Sequence, residues 1–152
     1  MNDIFSEHYL DNSLIFKILK IIKKYQGPDI SDGHFTENGF QTRNLLPMFN
    51  KKIINQMLPT EYLRDKLHHM HYIKYFSNGH QLKHNHPKEK FSFILYLNDA
   101  DGNTVLLEPV NKSITPQQGK MIIFAGHIYH YAEKSYKQKE ILVGGVDKFK
   151  WI

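Results

Sequence analysis

Residues 79–99, GHQLKHNHPKEKFSFILYLND, place three histidines directly before an apolar run. The run at 91–97 combines aromatic and aliphatic side chains and predicts a buried strand. His84 and His86 are separated by one residue, so on a strand, where side chains alternate between faces, both imidazoles point the same way. Two imidazoles on one face can share a metal ion if a third ligand arrives from another strand. The stretch therefore predicts a β-rich fold with a histidine metal site.

The third ligand is expected from the segment 119–133, GKMIIFAGHIYHYAE, which offers His127 and His130. A turn glycine, an apolar strand and a small-residue bend bring this segment to the entrance of a further strand. The chain has no cysteine, so thiolate metal sites and thiol nucleophiles are excluded. The metal set favoured by this pattern is His84, His86 and His130. Five other histidines are interpreted as ordinary hydrogen-bonded residues: His8, His34, His69, His71 and His80.

The N-terminal part of the chain is predicted to be helical. Residues 11–25 carry apolar side chains at helical spacing after a capping sequence and stop at Gly27-Pro28. A second helix is predicted over 46–58, and a third begins after Thr60. Between the first two, the glycine-punctuated segment 29–44 is interpreted as a loop or irregular hairpin that could act as a lid or bind substrate.

After residue 69 the apolar period changes from helical to alternating. The predicted strands are 70–76, 80–86, 91–97, 104–108, 112–114, 120–124, 129–132 and 140–146. Short strands that follow helices predict an α+β, mainly β fold, a double-stranded β-helix (jelly-roll) core with N-terminal helices packed against it. A chain of 152 residues is expected to form a single domain, with 1–69 as mostly helical support and 70–152 as the jelly roll.

Composition narrows the classes of partner and the compartment. Twenty Lys+Arg against fifteen Asp+Glu give a basic chain, but only Arg43 and Arg64 are arginine and the lysines are scattered. This distribution favours a solvated lysine-rich surface and argues against a nucleic-acid module. Neither a membrane-spanning apolar run nor a secretory signal is seen, so a cytoplasmic protein without a membrane partner is expected.

Four segments in order resemble the Fe(II)- and 2-oxoglutarate-dependent oxygenase superfamily, particularly its small prolyl-hydroxylase-like members. They are YIKYFSNGHQLKHNHPKEKFSFILYLND (72–99), DGNTVLLEP (101–109), ITPQQGKMIIFAGHIYHYAE (114–133) and KEILVGGV (139–146). The resemblance covers about half of the chain, from Tyr72 to Val146. It implies a dioxygenase that binds Fe(II), 2-oxoglutarate and O₂ and hydroxylates an unidentified small-molecule or peptide substrate.

The resemblance also implies roles for individual residues. His84 becomes the first iron ligand, His130 the distal ligand, and His86 stands where the superfamily usually has a carboxylate. The superfamily commonly holds the far carboxylate of 2-oxoglutarate with an arginine after the distal histidine, but no arginine follows Arg64. The matching position is Lys139, and Tyr72 or Tyr96 could add a hydrogen bond to the same carboxylate.

Two alternatives remain open at this stage. GKMIIFAGHIYH also resembles the second cupin motif, and Gly79 with His84 and His86 approximates the first, with Glu89 near the usual fourth-ligand spacing. A cupin would use the same three histidines without 2-oxoglutarate. The other alternative is a non-enzymatic jelly-roll binding module. Its drawback is that only three ligands are offered, whereas structural metal sites are usually closed by four.

Overall fold

The computed structural model describes residues 4–25 and 36–149. In these ranges the helices are α1 (Asn12–Lys23), α2 (Lys51–Met57) and α3 (Glu61–Lys66), with a short 3-10 turn at Leu46–Met48. The first five strands are β1 (Phe5–Tyr9), β2 (Thr36–Gln41), β3 (Leu67–His84), β4 (Glu89–Tyr96) and β5 (Thr104–Leu106). The remaining strands are β6 (Lys112–Ile114), β7 (Lys120–Ala125), β8 (His130–Ser135) and β9 (Lys139–Lys148).

Each of the three α-helices begins at a side-chain cap. The carboxylate of Asp11 accepts the N–H of Leu14 at 2.9 Å and starts α1, within the predicted capping sequence. Asn50 caps α2 in the same way, and Thr60 caps α3 by accepting the N–H of Leu63 at 3.3 Å. Among the described residues no helix is long and apolar enough to cross a membrane.

The strands form an antiparallel sheet that curls into a jelly roll. The hydrogen-bonded order is β1-β7-β4-β9-β3-β8-β5-β6, and β2 also pairs with β3. The first half of β3 pairs with β9, whereas its second half pairs with β8. β3 therefore connects the two layers of the fold. The predicted mainly β jelly roll with helices packed on it is confirmed.

The predicted strands 70–76 and 80–86 are in fact one long strand, β3. The segment Ser77-Asn78-Gly79, interpreted as a stop, is a bend inside it: Asn78 has a positive φ of 69°, and the β8 register shifts after Gly79. A Cβ at Gly79 would lie 2.8 Å from the Cβ of Tyr75, so the bend needs glycine. The turn signal marked a real irregularity but not the end of the strand.

The strand β1 lies where no strand was predicted, and β2 lies in the segment interpreted as a loop or irregular hairpin. Both are short and largely polar, so neither shows a clear apolar alternation; β1 is joined to the sheet through β7, and β2 pairs with β3. Of the predicted loop at 29–44, residues 36–41 are β2, and residues 29–35 lie outside the described residues, as does His34. The N-terminal part of the chain therefore contributes strands as well as helices.

Buried apolar side chains form two clusters on opposite faces of the larger layer. The outer cluster joins the helices to the sheet, with Ile15, Ile18, Met57, Met70 and Leu142 among its members. The inner cluster lies between the layers and includes Ile73, Tyr75, Tyr96, Leu106 and Phe124. Side chains alternate along β3, so neighbouring residues of this strand serve different clusters.

We expect Ile18→Ala to lower the free energy of unfolding by about 2–4 kcal/mol, because Ile18 is fully buried between α1 and the sheet. Phe16→Ala is the matched control on the same helix, because Phe16 is 59% exposed; its change should stay within about 0.5 kcal/mol. Urea denaturation followed by circular dichroism measures both. Equal losses for the two variants would contradict the packing of α1 described above.

Candidate functional site

Three imidazoles converge at one end of the jelly roll. His84 ends β3, His130 begins β8, and the two are register partners in the β3–β8 ladder. His86 follows two residues later in the connection to β4. The ring centroids of His84 and His130 are 4.3 Å apart, and His86 lies 4.9 Å and 5.4 Å from them. One ligand nitrogen from each lies within 4.8 Å of the other two, so small rotations bring all three within bonding distance of one cation.

Backbone carbonyls fix the orientation of two of these rings. Nδ1–H of His84 donates to the carbonyl of Leu82 at 2.7 Å, and Nδ1–H of His130 donates to the carbonyl of Ile128 at 3.0 Å. In each case the acceptor is two residues earlier in the chain. This tautomer puts the lone pair on Nε2, which is the arrangement that supports metal-binding histidines elsewhere.

Burial also keeps the three rings neutral. It lowers the pKa of His84 to about 4 and that of His130 to about 3, and it lowers the pKa of His86 as well. At His84 and His130 the neighbouring rings of the cluster lower the pKa further, since a second positive charge would be repelled. At His86 the carboxylate of Glu89 acts against burial and favours the charged form. Neutral imidazoles at physiological pH are ready to accept a cation without first releasing protons.

The three imidazoles border a cavity of about 270 Å³. Its polar wall is completed by Gln41, His69, His71, Gln81, Glu89 and Ser92, and its apolar wall includes Ile73, Phe93, Ile94, Phe124 and Val143. The ring of Phe124 packs edge-on against His130 at 4.9 Å between centroids. A cavity with one cluster of ligands and a mixed wall can hold a metal together with a small polar molecule.

His127, the other candidate for the distal ligand, lies apart from this cluster. Its side chain is exposed, and its backbone carbonyl accepts a hydrogen bond from the Asn85 amide at 3.1 Å. Among the described residues the group that could hold a metal here consists of His84, His86 and His130.

Lys139 lies in the inner core at the start of β9. Its side chain is almost fully buried, Nζ donates to the carbonyl of Gly102 at 3.0 Å, and the ammonium lies 4.5 Å from the ring centroid of Tyr75. Burial lowers the pKa of Lys139 to about 8, although the carboxylates of Asp101 and Glu133 act in the opposite direction. A buried ammonium without a carboxylate in direct contact can pair with an incoming anion.

The two tyrosines named with Lys139 lie on different faces of the sheet. Tyr96 is in the inner core, and its hydroxyl donates to Oγ1 of Thr104 at 2.5 Å. Tyr72 packs in the outer cluster, where its hydroxyl bonds to a carboxylate oxygen of Glu140. Lys139 and Tyr96 thus lie on the inner side of the sheet. Two residues of the inner core, Ile73 and Phe124, line the cavity, whereas Lys139 and Tyr96 are not among its lining residues. Tyr72 is not brought to this side.

Three further residues form a second group that the sequence did not single out: His68, His69 and Glu89. His69, interpreted as an ordinary hydrogen-bonded residue, does bond to Glu89, and both border the cavity. Glu89 was noted only for its spacing from the cupin pattern. The available signal was the His68-His69 pair at the point where helical periodicity ends, but pairing with Glu89 depends on the sheet register.

Comparisons with known proteins bear on the fold. No family model and no curated protein sequence matches the chain. Among solved structures, a 2OG-Fe(II) oxygenase family oxidoreductase from Burkholderia pseudomallei is similar with a TM-score of 0.75 and 14% identity, over 96% of this chain and 86% of that one. A prolyl hydroxylase from Trichoplax adhaerens, in complex with a hypoxia inducible factor oxygen degradation domain peptide fragment, is similar with a TM-score of 0.69 and 13% identity. The match covers 96% of this chain and 84% of that one.

A predicted oxalate decarboxylase from Thermotoga maritima is similar at a lower level, with a TM-score of 0.56 and 13% identity over 82% of this chain and 94% of that chain. The two oxygenases thus match more of the chain and superpose better. Structural similarity at such low sequence identity establishes the fold alone. The chemistry must be argued from the residues of the site. The chain shares the jelly-roll fold of these solved structures, among them a 2OG-Fe(II) oxygenase family member, and has a three-histidine cluster in the wall of its cavity.

Proposed function

We propose that the chain is an Fe(II)- and 2-oxoglutarate-dependent dioxygenase that hydroxylates its substrate. The observation that carries this proposal is the convergence of His84, His86 and His130, from β3, the following connection and β8, on one point in the cavity. Three ligands on one face leave the remaining positions of a six-coordinate ion open to small molecules. A site built only for structural support is usually closed by its own ligands.

The donor set fits iron. Neutral imidazole nitrogens are suitable ligands for Fe(II), and the two backbone carbonyls hold His84 and His130 in the required tautomer. When bound, iron with 2-oxoglutarate and O₂ would supply oxidative decarboxylation coupled to hydroxylation: one oxygen atom enters the substrate C–H bond, and the other enters succinate as CO₂ is released. The apolar wall around Ile94, Phe124 and Val143 would limit access of water.

Lys139 is proposed to bind the far carboxylate of 2-oxoglutarate. Its buried ammonium has a carbonyl and an aromatic ring as close contacts, and Tyr96 and Thr104 offer hydroxyl groups in the same inner core. A point charge is less selective than an arginine fork, so the neighbouring hydroxyls would contribute to orientation. Tyr72 is not part of this proposal because its hydroxyl bonds to Glu140 on the outer face.

The substrate is proposed to be a small molecule or a peptide. A peptide is supported by the Trichoplax prolyl hydroxylase, whose structure contains a peptide fragment. In this chain the cavity is bordered by Gln41, the last residue of β2, and by Gln81. Amide side chains at the rim can pair with backbone or amide groups of a substrate without adding charge.

A second candidate function is a metal-dependent enzyme of the cupin type that acts without 2-oxoglutarate. The observation that favours it is His86, which replaces the carboxylate of the usual iron face with a neutral ligand. Similarity to the Thermotoga protein is in keeping with it, at a lower TM-score. The two candidates share fold and ligands and differ in the need for the keto acid.

Anaerobic protein loaded with Fe(II) should develop a visible metal-to-ligand charge-transfer band when 2-oxoglutarate is added, and succinate should form once O₂ is admitted. His130→Ala should lose the band and at least about tenfold in iron affinity, because one of three ligands is gone. His127→Ala is the matched control, one exposed histidine three residues away, and should retain both. Absorption spectroscopy and succinate assays measure these outcomes.

Bound iron without a spectral response to 2-oxoglutarate would support the cupin-type candidate instead. Loss of iron in the His127 variant but not in the His130 variant would contradict the assigned ligand set.

Affinity for 2-oxoglutarate should depend on pH through Lys139. The ammonium form binds the carboxylate, so the dissociation constant should be flat below pH 8 and rise up to about tenfold per pH unit above it, as the buried amine loses its proton. In Lys139→Arg the rise should disappear, because guanidinium stays charged. Calorimetric titration of Mn²⁺-loaded protein under nitrogen, between about pH 6.5 and 9, measures it.

Lys139→Ala should weaken the binding of 2-oxoglutarate at pH 7 without loss of metal. Lys137→Ala changes an exposed neighbour and should alter neither 2-oxoglutarate binding nor metal binding. An unchanged affinity in Lys139→Ala would remove this residue from the proposed cosubstrate site.

A further inference from the structure

We propose that His68, His69 and Glu89 form a second site for a divalent transition-metal ion, distinct in its ligands from the three-histidine cluster. One ligand atom from each residue lies within 4.8 Å of the other two. Nε2 of His68 is 3.8 Å from Oε1 of Glu89, and Nε2 of His69 contacts the same oxygen. This inference does not depend on the proposed dioxygenase activity.

A β-bulge creates this arrangement. Neighbouring residues on a regular strand point to opposite faces, yet the rings of His68 and His69 are 4.6 Å apart. The register of β3 with β9 passes from Leu67 opposite Val146 to His69 opposite Gly145, so His68 is the extra residue. A bulge turns two successive side chains toward the same side and is common beside functional sites. Here it directs both imidazoles toward Glu89 on β4.

The sheet leaves room for these groups at Gly145. This residue is the register partner of His69 on one side and of Ser92 on the other. A Cβ built on Gly145 would collide with the carboxylate of Glu89 and with Nε2 of His69. Glycine therefore lets the carboxylate and the imidazole meet over the sheet. Any other residue at this position would displace them.

The polar atoms of the group are incompletely satisfied. Among the residues that the structure describes, Nε2 of His68 and Nδ1 of His69 are buried without a hydrogen-bond partner. A buried polar atom left unpaired is unfavourable, so the arrangement favours binding of a group that pairs with it. A cation between His68 and Glu89 would satisfy Nε2 of His68. Burial lowers the pKa of His68, so its lone pair is available at neutral pH.

The carboxylate is held in position from its other side. Oγ of Ser92 donates to Oε2 of Glu89 at 3.2 Å, which leaves Oε1 facing the two imidazoles. A carboxylate oriented by a hydrogen bond and two imidazoles make a two-histidine, one-carboxylate set. This set binds zinc and other first-row divalent ions, with further positions open to water. His69 and Glu89 border the cavity, so such an ion would lie in its wall.

Metal stoichiometry tests the proposal directly. Metal-free protein is dialysed against buffered Zn²⁺ and measured by elemental analysis, with circular dichroism as a check on folding. The full chain should bind about two equivalents, and His68→Ala and His130→Ala should each bind about one. The double variant should bind almost none. His8→Ala, which removes a histidine of β1 outside both groups, should still bind two.

A second pair of variants keeps the side-chain size. Glu89→Gln should lose one equivalent, whereas Glu108→Gln, an exposed glutamate, should lose none. The second site would be overturned if His68→Ala and Glu89→Gln each bind two equivalents of zinc. It would also be overturned if the full chain binds one equivalent and both variants retain it. Loss of zinc in His68→Ala with full binding in His130→Ala would support the second site and contradict the ligand set of the proposed dioxygenase.

Discussion

The pairing of His84 with His130 across the β3–β8 ladder is the constraint on which the rest of the site depends. Two residues that are 46 positions apart in the chain become neighbours only because β3 leaves the layer of β9 and enters that of β8. His86 then needs no separate support, since it follows His84 by two residues. The bend at Gly79 is therefore as important to the site as the ligands, because it sets where β3 changes partner.

Burial in the jelly roll shifts the pKa values of the three-histidine cluster, of Lys139 and of Glu89. It favours the neutral form of the imidazoles, so their pKa values fall, and it lowers the pKa of Lys139 to about 8 for the same reason. Glu89 is the exception: burial alone would raise its pKa, but the hydrogen bond from His69 and the nearby imidazoles lower it overall. The carboxylate thus stays charged where the histidines stay neutral, and it is the principal negative group beside the cavity.

Sequence reasoning succeeded where a local pattern determines the structure. The capping sequence before α1 and the strand 112–114 are short-range features, and both are present in the fold. His84 and His86 do lie together, but His86 is past the end of β3, so the predicted alternation along one strand does not account for its position. Sequence reasoning missed β1 and left β2 undecided between a loop and an irregular hairpin, because both strands are stabilised by partners distant in the chain. The side of the sheet to which Tyr72 points and the bulge at His68 also depend on sheet register. Register cannot be read from a short stretch of sequence.

A three-histidine face and a nearby carboxylate affect the same cavity through charge. Three neutral ligands leave both positive charges of a divalent ion uncompensated, whereas the usual carboxylate would cancel one. A dianionic cosubstrate such as the proposed 2-oxoglutarate would then be attracted more strongly, which would offset the weaker orientation given by a lysine at the proposed Lys139 contact. Glu89 is held by hydrogen bonds from Ser92 and His69, so its carboxylate does not replace the negative ligand that the three-histidine face lacks. Replacing His86 by aspartate should therefore strengthen iron binding, which anaerobic titration of the metal-free protein with Fe(II) would measure.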